Sequence, residues 1–103
     1  MARFARRLSR CEVWVARGCQ GPEGFVAIRR DGYVDVAFVL PQAQGRGLFR
    51  RLVTRATAGK ATCRTHASLC AQPAFAALGF EVVRHEIVHQ RGQRLRRAEM
   101  RRW

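Results

Sequence analysis

The stretch that most constrains this chain runs from Tyr33 to Ala58. Tyr33–Leu40 is β-branched and aromatic and carries one carboxylate, Asp35. Pro41 ends it, Gln42–Gly47 is a loop with two glycines, and Leu48, Phe49, Leu52, Val53 and Ala56 then repeat at helical spacing. A strand that breaks at a proline and restarts as a helix needs a layer of sheet with that helix packed on it. Apolar residues on both sides of Tyr33–Leu40 predict a central, well-covered strand.

The neighbouring segments fit the same layer. Cys11–Arg17 alternates, with Cys11, Val13 and Val15 on one face and Glu12, Trp14 and Ala16 on the other. Gly18–Gly24 reads as a turn, Phe25–Arg30 as a second strand, and Asp31-Gly32 as a two-residue hairpin signal. Three strands joined in this way make an antiparallel meander. Ala61–Ala67 predicts a strand, and Pro73–Gly79 a short helix opened by Pro and closed by Gly. Phe80–Val88 and Arg94–Trp103 predict two last strands around Arg91-Gly92. Ala2–Arg10, with Phe4 and Leu8 four apart, reads as a short amphipathic helix or the end of one. With 103 residues, no repeat and no linker, residues 1–103 are expected to form one mixed α/β domain of order βββ-α-β-α-ββ.

Composition sets the remaining bounds. The chain is 48% hydrophobic and 26% charged, which is globular rather than disordered. No run approaches the roughly 18 apolar residues of a membrane span, and Met1–Arg10 is followed by no apolar signal region, so a cytoplasmic protein without membrane contact is expected. The formal charge is +13, from 20 Lys+Arg against 7 Asp+Glu, so non-specific attraction to nucleic acid follows from charge alone. No helix-turn-helix, zinc finger or aromatic–basic RNA motif accompanies it. Cys11, Cys19, Cys63 and Cys70 contain no Cys-x-x-Cys and pair with no histidine at zinc-finger spacing, so no metal site is assigned and free, mostly buried thiols are expected.

The Leu40–Phe49 junction carries the candidate chemistry. The first N–H groups of a helix lack intrahelical partners and lie at its positive dipole end, and glycines let a ligand approach the backbone. The arrangement suits a pyrophosphate, with Arg46 and Arg50 placed for charge-assisted contacts. An ordinary strand–turn–helix is the alternative reading. The glycine spacing matches neither the P-loop nor the dinucleotide fingerprint.

Val34–Leu52, with Gln44-Gly45-Arg46-Gly47 after Pro41, resembles the acetyl-CoA-binding motif of the GNAT superfamily of N-acetyltransferases. The match departs at Phe49, where the family has Gly or Ala. Ala67–Phe80 resembles the superfamily's later helix, which ends in Leu-Gly-Phe before a strand. The resemblance implies an acyl-CoA N-acyltransferase fold, a mixed, mostly antiparallel sheet flanked by helices, with the third strand above splayed from its neighbour. It implies acetyl-CoA or CoA as co-substrate and an amine acceptor. The backbone of Ala37, Phe38 and Val39 would hold the pantetheine arm and acetyl carbonyl. Backbone N–H groups of Gln44, Gly45, Arg46, Gly47, Leu48, Phe49 and Arg50 would hold the pyrophosphate. Ser68 falls where the family often has a cofactor-contacting Asn. Such enzymes usually begin with a strand and two helices. Only Ala2–Arg10 precedes the Cys11 strand here, so these elements are expected to be missing and the uncovered flank to be closed in a homodimer. Loss of efficient transfer with CoA binding retained is the second reading, and a basic nucleic-acid binder the third. Phe75 stands where the family often has a tyrosine general acid.

Asp35 and Ser68 are the catalytic candidates, Asp35 as a base directly or through water and Ser68 as a proton donor. A structural carboxylate is the alternative for Asp35. Cys70 reads as a packed small residue, and His66, His85 and His89 as surface or hydrogen-bonded strand residues.

Overall fold

The computed structural model describes residues 2–8 and 11–103, with backbone only for residues 2–8. It forms one seven-stranded sheet of order β1-β2-β3-β4-β5-β7-β6. The strands are β1 Ala2–Leu8, β2 Cys11–Gly18, β3 Gly21–Arg29, β4 Tyr33–Val39, β5 Cys63–Ser68, β6 Glu81–Gln90 and β7 Gln93–Arg102. A 3-10 turn at Pro41–Ala43 and helix α1 Leu48–Thr57 connect β4 to β5, and helix α2 Gln72–Ala76 connects β5 to β6. All neighbouring strands are antiparallel except β4 and β5, whose crossover through α1 makes them parallel.

The meander and both helices lie where the sequence puts them. Ala2–Leu8 does not: it is a strand paired with β2 from Ala2↔Arg17 to Leu8↔Cys11, not a helix. The first-strand position at the edge of the sheet is therefore filled, contrary to the expectation that it is missing. Four-residue spacing of Phe4 and Leu8 is too short a pattern to outweigh seven residues of ladder. The expected Gly18–Gly24 turn contracts to Cys19-Gln20, because Pro22–Gly24 continues β3 across a register shift at Ala16/Arg17. At the Asp31-Gly32 hairpin, Asp31 Oδ1 accepts from Tyr33 N–H at 3.1 Å. Gly32 has φ 92°, and a Cβ there would meet the Thr62 carbonyl oxygen, so glycine is required.

One face of the sheet is covered. Ala16, Val26, Ile28, Val34 and Val39 pack under Leu48, Leu52, Val53 and Ala56 of α1. Phe75 of α2 sits edge-on between Phe49 and Phe80, with ring centroids 5.2 and 5.1 Å away. Arg102 Nη1 donates to Thr57 Oγ1 at 3.1 Å, tying the end of α1 to the last strand. The other face is open. Val36 and Phe38 are 42% and 45% exposed, so β4 is central in the sheet but covered on one side only. The thiols also differ from expectation, since Cys63 alone is buried and Cys19 and Cys70 are exposed. The hydrophobic effect places both outcomes: there is one helical layer to bury residues against, and it lies on one face.

Leu52 is fully buried at the centre of the α1 seat. Leu52→Ala is expected to lower stability by about 2–5 kcal/mol, read from the urea unfolding midpoint at unchanged slope. A loss below about 1 kcal/mol would contradict this seating of the helix.

Candidate active site

The site is built by a ladder that stops. β4 and β5 pair only at Tyr33↔Arg64 and Val34↔Thr65, although both strands continue. The Thr65 hydroxyl donates to the Val34 carbonyl at 3.0 Å, which occupies the acceptor a continuing ladder would use. On its far side β4 departs from regular pairing too. Val34 faces Ile28 and Val36 faces Ala27, leaving Asp35 as the extra residue of a bulge. From Asp35 onward β4 follows β3, β5 follows β7, and a wedge opens between them.

The wall of that wedge is backbone. Leu40 N–H donates to Glu23 O at 2.8 Å. Alternation along the antiparallel ladder then turns the peptide groups of Phe38 toward β3 and those of Ala37 and Val39 toward the gap. Of the three strand residues suggested by the sequence, Ala37 and Val39 thus offer main-chain groups to the wedge. Phe38 instead contributes its ring to the open face of the sheet, 6.1 Å from Phe25.

The mouth of the wedge lies at the start of α1. Among the described residues no backbone carbonyl accepts from the N–H groups of Gly45, Arg46, Gly47, Leu48, Phe49 or Arg50, whereas Arg51 N–H is bonded to Gly47 O at 3.1 Å. Gly45 and Gly47 have φ 82° and 74°, and open space surrounds the place where each would carry a Cβ. This run of unpaired donors, at the positive end of a helix dipole and with open space at both glycines, fits a pyrophosphate. Gln44 plays another part. Its backbone N–H is bonded to Pro41 O at 3.3 Å, and its side-chain amide donates to Val39 O at 3.1 Å, which ties the loop to the end of β4. The Phe49 ring turns into the core beside Phe75, away from the loop.

Arg46 is held by Glu23 at 3.0 Å and Arg50 is exposed. Asp35 is exposed at the bulge where the wedge begins. Ser68 is exposed at the end of β5, and its Oγ accepts from Ala71 N–H at 3.3 Å, so it shapes the turn into α2. Phe75 is 3% exposed and packs as core.

Sequence reasoning passed over a polar cluster at the closed end of the wedge. Tyr33 Oη and His66 Nδ1 share a hydrogen bond of 2.7 Å, and His66 Nε2 lies 3.8 Å from Glu86 Oε1. Glu86 and Glu99 are paired with Arg84, Arg97 and Arg101. The hydrogen bond from Arg97 is the main cause that holds the Glu86 carboxyl below its usual range, so Glu86 is an anion at neutral pH. His66, Glu86 and Glu99 bring one potential ligand atom each within 4.8 Å, but both carboxylates already neutralise guanidinium groups, which disfavours a cation there. The available signal was phase: in Cys63–Ser68 the core-facing residues are Cys63, Thr65 and Ala67, which sends His66 to the face opposite α1.

Comparison with known proteins agrees with this geometry. Residues 2–101 match the family model for the acetyltransferase (GNAT) domain. The chain is 32% identical over 91 residues to the uncharacterized N-acetyltransferase YafP of Escherichia coli (strain K12), covering 88% of this chain and 60% of that protein. Among solved structures, a GCN5-related N-acetyltransferase from Rhodopseudomonas palustris superposes with a TM-score of 0.80 at 24% identity, over 89% of this chain and 61% of that one. Arabidopsis thaliana NAA60, in complex with a bisubstrate analogue, gives a TM-score of 0.72 at 18% identity, over 90% and 75%. The chain thus spans about 60% of the length of the first two relatives. The stopped β4–β5 ladder, the unpaired donors at the start of α1 and the family match over nearly the whole chain lead to one conclusion: this chain belongs to the GNAT acetyltransferase family.

Proposed function

We propose that residues 1–103 act as one domain that binds acetyl-CoA and transfers its acetyl group to an amine. The observation that carries this reading is the wedge between β4 and β5, which opens above a run of unpaired N–H groups from Gly45 to Arg50. Those N–H groups would hold the pyrophosphate, and the gap-facing peptide groups of Ala37 and Val39 would hold the pantetheine arm. When bound, acetyl-CoA supplies an acetyl group activated as a thioester. Within the wedge, a main-chain N–H fixed by the β4 bulge would stabilise the oxyanion that forms as the amine adds. Cytoplasmic localisation goes with this reading, and no helix among the described residues is long and apolar enough to cross a membrane.

Gly47 tests the cofactor site. Gly47→Glu puts a carboxylate in front of the donors, and Gly47→Asn keeps a residue that tolerates φ 74° without adding charge. Wild type is expected to bind CoA with micromolar affinity in calorimetry, as an order of magnitude. Binding should be lost in Gly47→Glu and largely kept in Gly47→Asn, with both variants folded by circular dichroism. Equal CoA affinity in folded wild type and Gly47→Glu would refute the site.

The open face leads to a second expectation. Val13, Val15, Phe25, Phe38 and Leu40 line a cavity of about 340 Å³ on the side of the sheet away from α1. A second copy of the chain would cover these residues and contribute to the acceptor side of the wedge. Each copy carries +13, so association should strengthen as salt rises and repulsion is screened. Light scattering across a salt series measures this, and a monomer at every salt concentration would count against it.

Charge also separates the cofactor from polyanions. Nucleic acid should bind without sequence preference and release steeply with salt, because that contact is counterion release. CoA should release less steeply, since its proposed contacts are mostly neutral N–H groups. Filter binding with a random duplex beside CoA calorimetry, over one salt series, gives both slopes.

A further inference from the structure

The hairpin of β6 and β7 outgrows the sheet. β5 ends at Ser68, which pairs with Arg97, so β7 has no neighbour on that side from Gln93 to Arg96. β6 is the edge strand, and Ile87↔Arg96, Val88↔Leu95, His89↔Arg94 and Gln90↔Gln93 pair only with one another. Together with the Arg91-Gly92 turn they form a two-stranded ribbon that runs about 13 Å past the end of β5. Every residue of the ribbon is exposed except Val88, which is half-buried.

The charge pattern changes where the ribbon leaves the sheet. Arg84, Arg97 and Arg101, nearer the sheet, are each paired with Glu86 or Glu99. No acidic residue lies between those two glutamates in the sequence. Arg91, Arg94 and Arg96 accordingly have no acid partner among the described residues. Alternation puts Arg94 and Arg96 on the face of buried Ala98, with His89 and Ile87 opposite them on β6. The two guanidinium stems are two residues apart, about 7 Å, a spacing comparable to the step between neighbouring phosphates on one strand of DNA. Arg91 stands at the tip with φ 49°, where a two-residue turn more often takes Asn or Gly, so the tip too carries a cation.

We propose that this ribbon is a docking site for duplex DNA, separate from the acetyl-CoA wedge. The major groove of a B-form duplex admits a two-stranded β-ribbon, and Arg91, Arg94 and Arg96 meet the phosphates along it and release their counterions. A membrane surface fits less well. The tip, Gln90-Arg91-Gly92-Gln93, is wholly polar and has nothing apolar to insert among lipid chains. A second set of cations without an acid partner among the described residues, Arg51 and Arg55 with Lys60 just beyond, belongs to α1. That helix is seated on the sheet, so its charges are presented on a broad surface rather than on an element that a groove can take in.

The test titrates the full chain with a short random-sequence DNA duplex, the RNA duplex of the same sequence and phosphatidylserine vesicles, each over a salt series. Wild type is compared with a ribbon variant, Arg91→Asn with Arg94→Gln and Arg96→Gln, and a helix variant, Arg51→Gln with Arg55→Gln and Lys60→Gln. Each variant loses three positive charges, so location alone distinguishes them. Asn tolerates φ 49° at position 91, which keeps the turn, and circular dichroism checks that both variants fold. The ribbon variant should lower the slope of log affinity against log salt by about 2–3, since each phosphate contact contributes about 0.9, and the helix variant by less than about 1. DNA should bind more tightly than RNA, whose A-form major groove is too deep and narrow for the ribbon. CoA calorimetry should give the same affinity for wild type and the ribbon variant. Equal slope losses in the two variants overturn the proposal, because charge anywhere on the chain would then suffice. RNA bound as tightly as DNA, vesicles bound more tightly than DNA, or a wild type that leaves DNA unbound overturns it as well.

Discussion

Everything functional in this fold depends on one parallel strand pair that ends after Val34↔Thr65. Parallel strands need a crossover, and the crossover here is α1, which seats Leu48, Leu52, Val53 and Ala56 on the sheet. That seat fixes where the helix starts, and so where its unpaired N–H groups lie relative to β4. β4 is held along its length by β3, and β5 is held along its length by β7. The two strands cannot re-pair without breaking those ladders. The Thr65 hydroxyl on the Val34 carbonyl satisfies the last acceptor locally, so opening the wedge leaves no buried orphan at that point. The bulge at Asp35 adds local twist that carries β4 away from β5.

The two faces of the sheet divide the work. The face under α1 is packed with aliphatic residues and closed off by the Phe49–Phe75–Phe80 cluster. It supplies the rigidity that holds loop and wedge in register. The opposite face carries the exposed rings of Phe25 and Phe38 on one side of the wedge, and the Tyr33–His66–Glu86 line on the other. A chain of charge +13 still places two half-buried glutamates here, each matched by arginines, so positive charge on this face is locally relieved.

Local chemistry made most of the fold legible in the sequence. The Asp31-Gly32 turn, Pro41 at the strand end, the 3.6-residue repeat from Leu48 to Ala56 and the Pro73–Gly79 bracket each act through backbone geometry, which adjacent residues determine. Ala2–Leu8 was misread because its strand character comes from pairing with β2, which no local pattern records. The open side of β4 was misread for a related reason. Val36 and Phe38 look like core in composition, and only the single helical layer leaves them exposed. In the candidate site the glycine loop was legible, since unpaired donors and positive φ follow from residue type. His66 was not, because its meaning comes from Tyr33, 33 residues away, and Glu86, 20 positions further along the chain.

The two arginines of the loop stand in different surroundings. Arg46 stands in the glycine loop, where sequence assigns it to a phosphate, yet it is bound to Glu23 at 3.0 Å. Glu23 also accepts from Leu40 N–H through its carbonyl, so one residue of β3 holds both the end of β4 and the loop beyond it. Gln44 does the same from the loop side by donating to Val39 O. These contacts fix the backbone of the loop, and the N–H groups facing the mouth of the wedge are neutral. Recognition by neutral, preorganised N–H groups depends on their direction and spacing, whereas attraction to scattered arginines depends on little beyond ionic strength. At the loop itself the Arg46 guanidinium is already paired with Glu23, whereas Arg50 at the first turn of α1 is exposed.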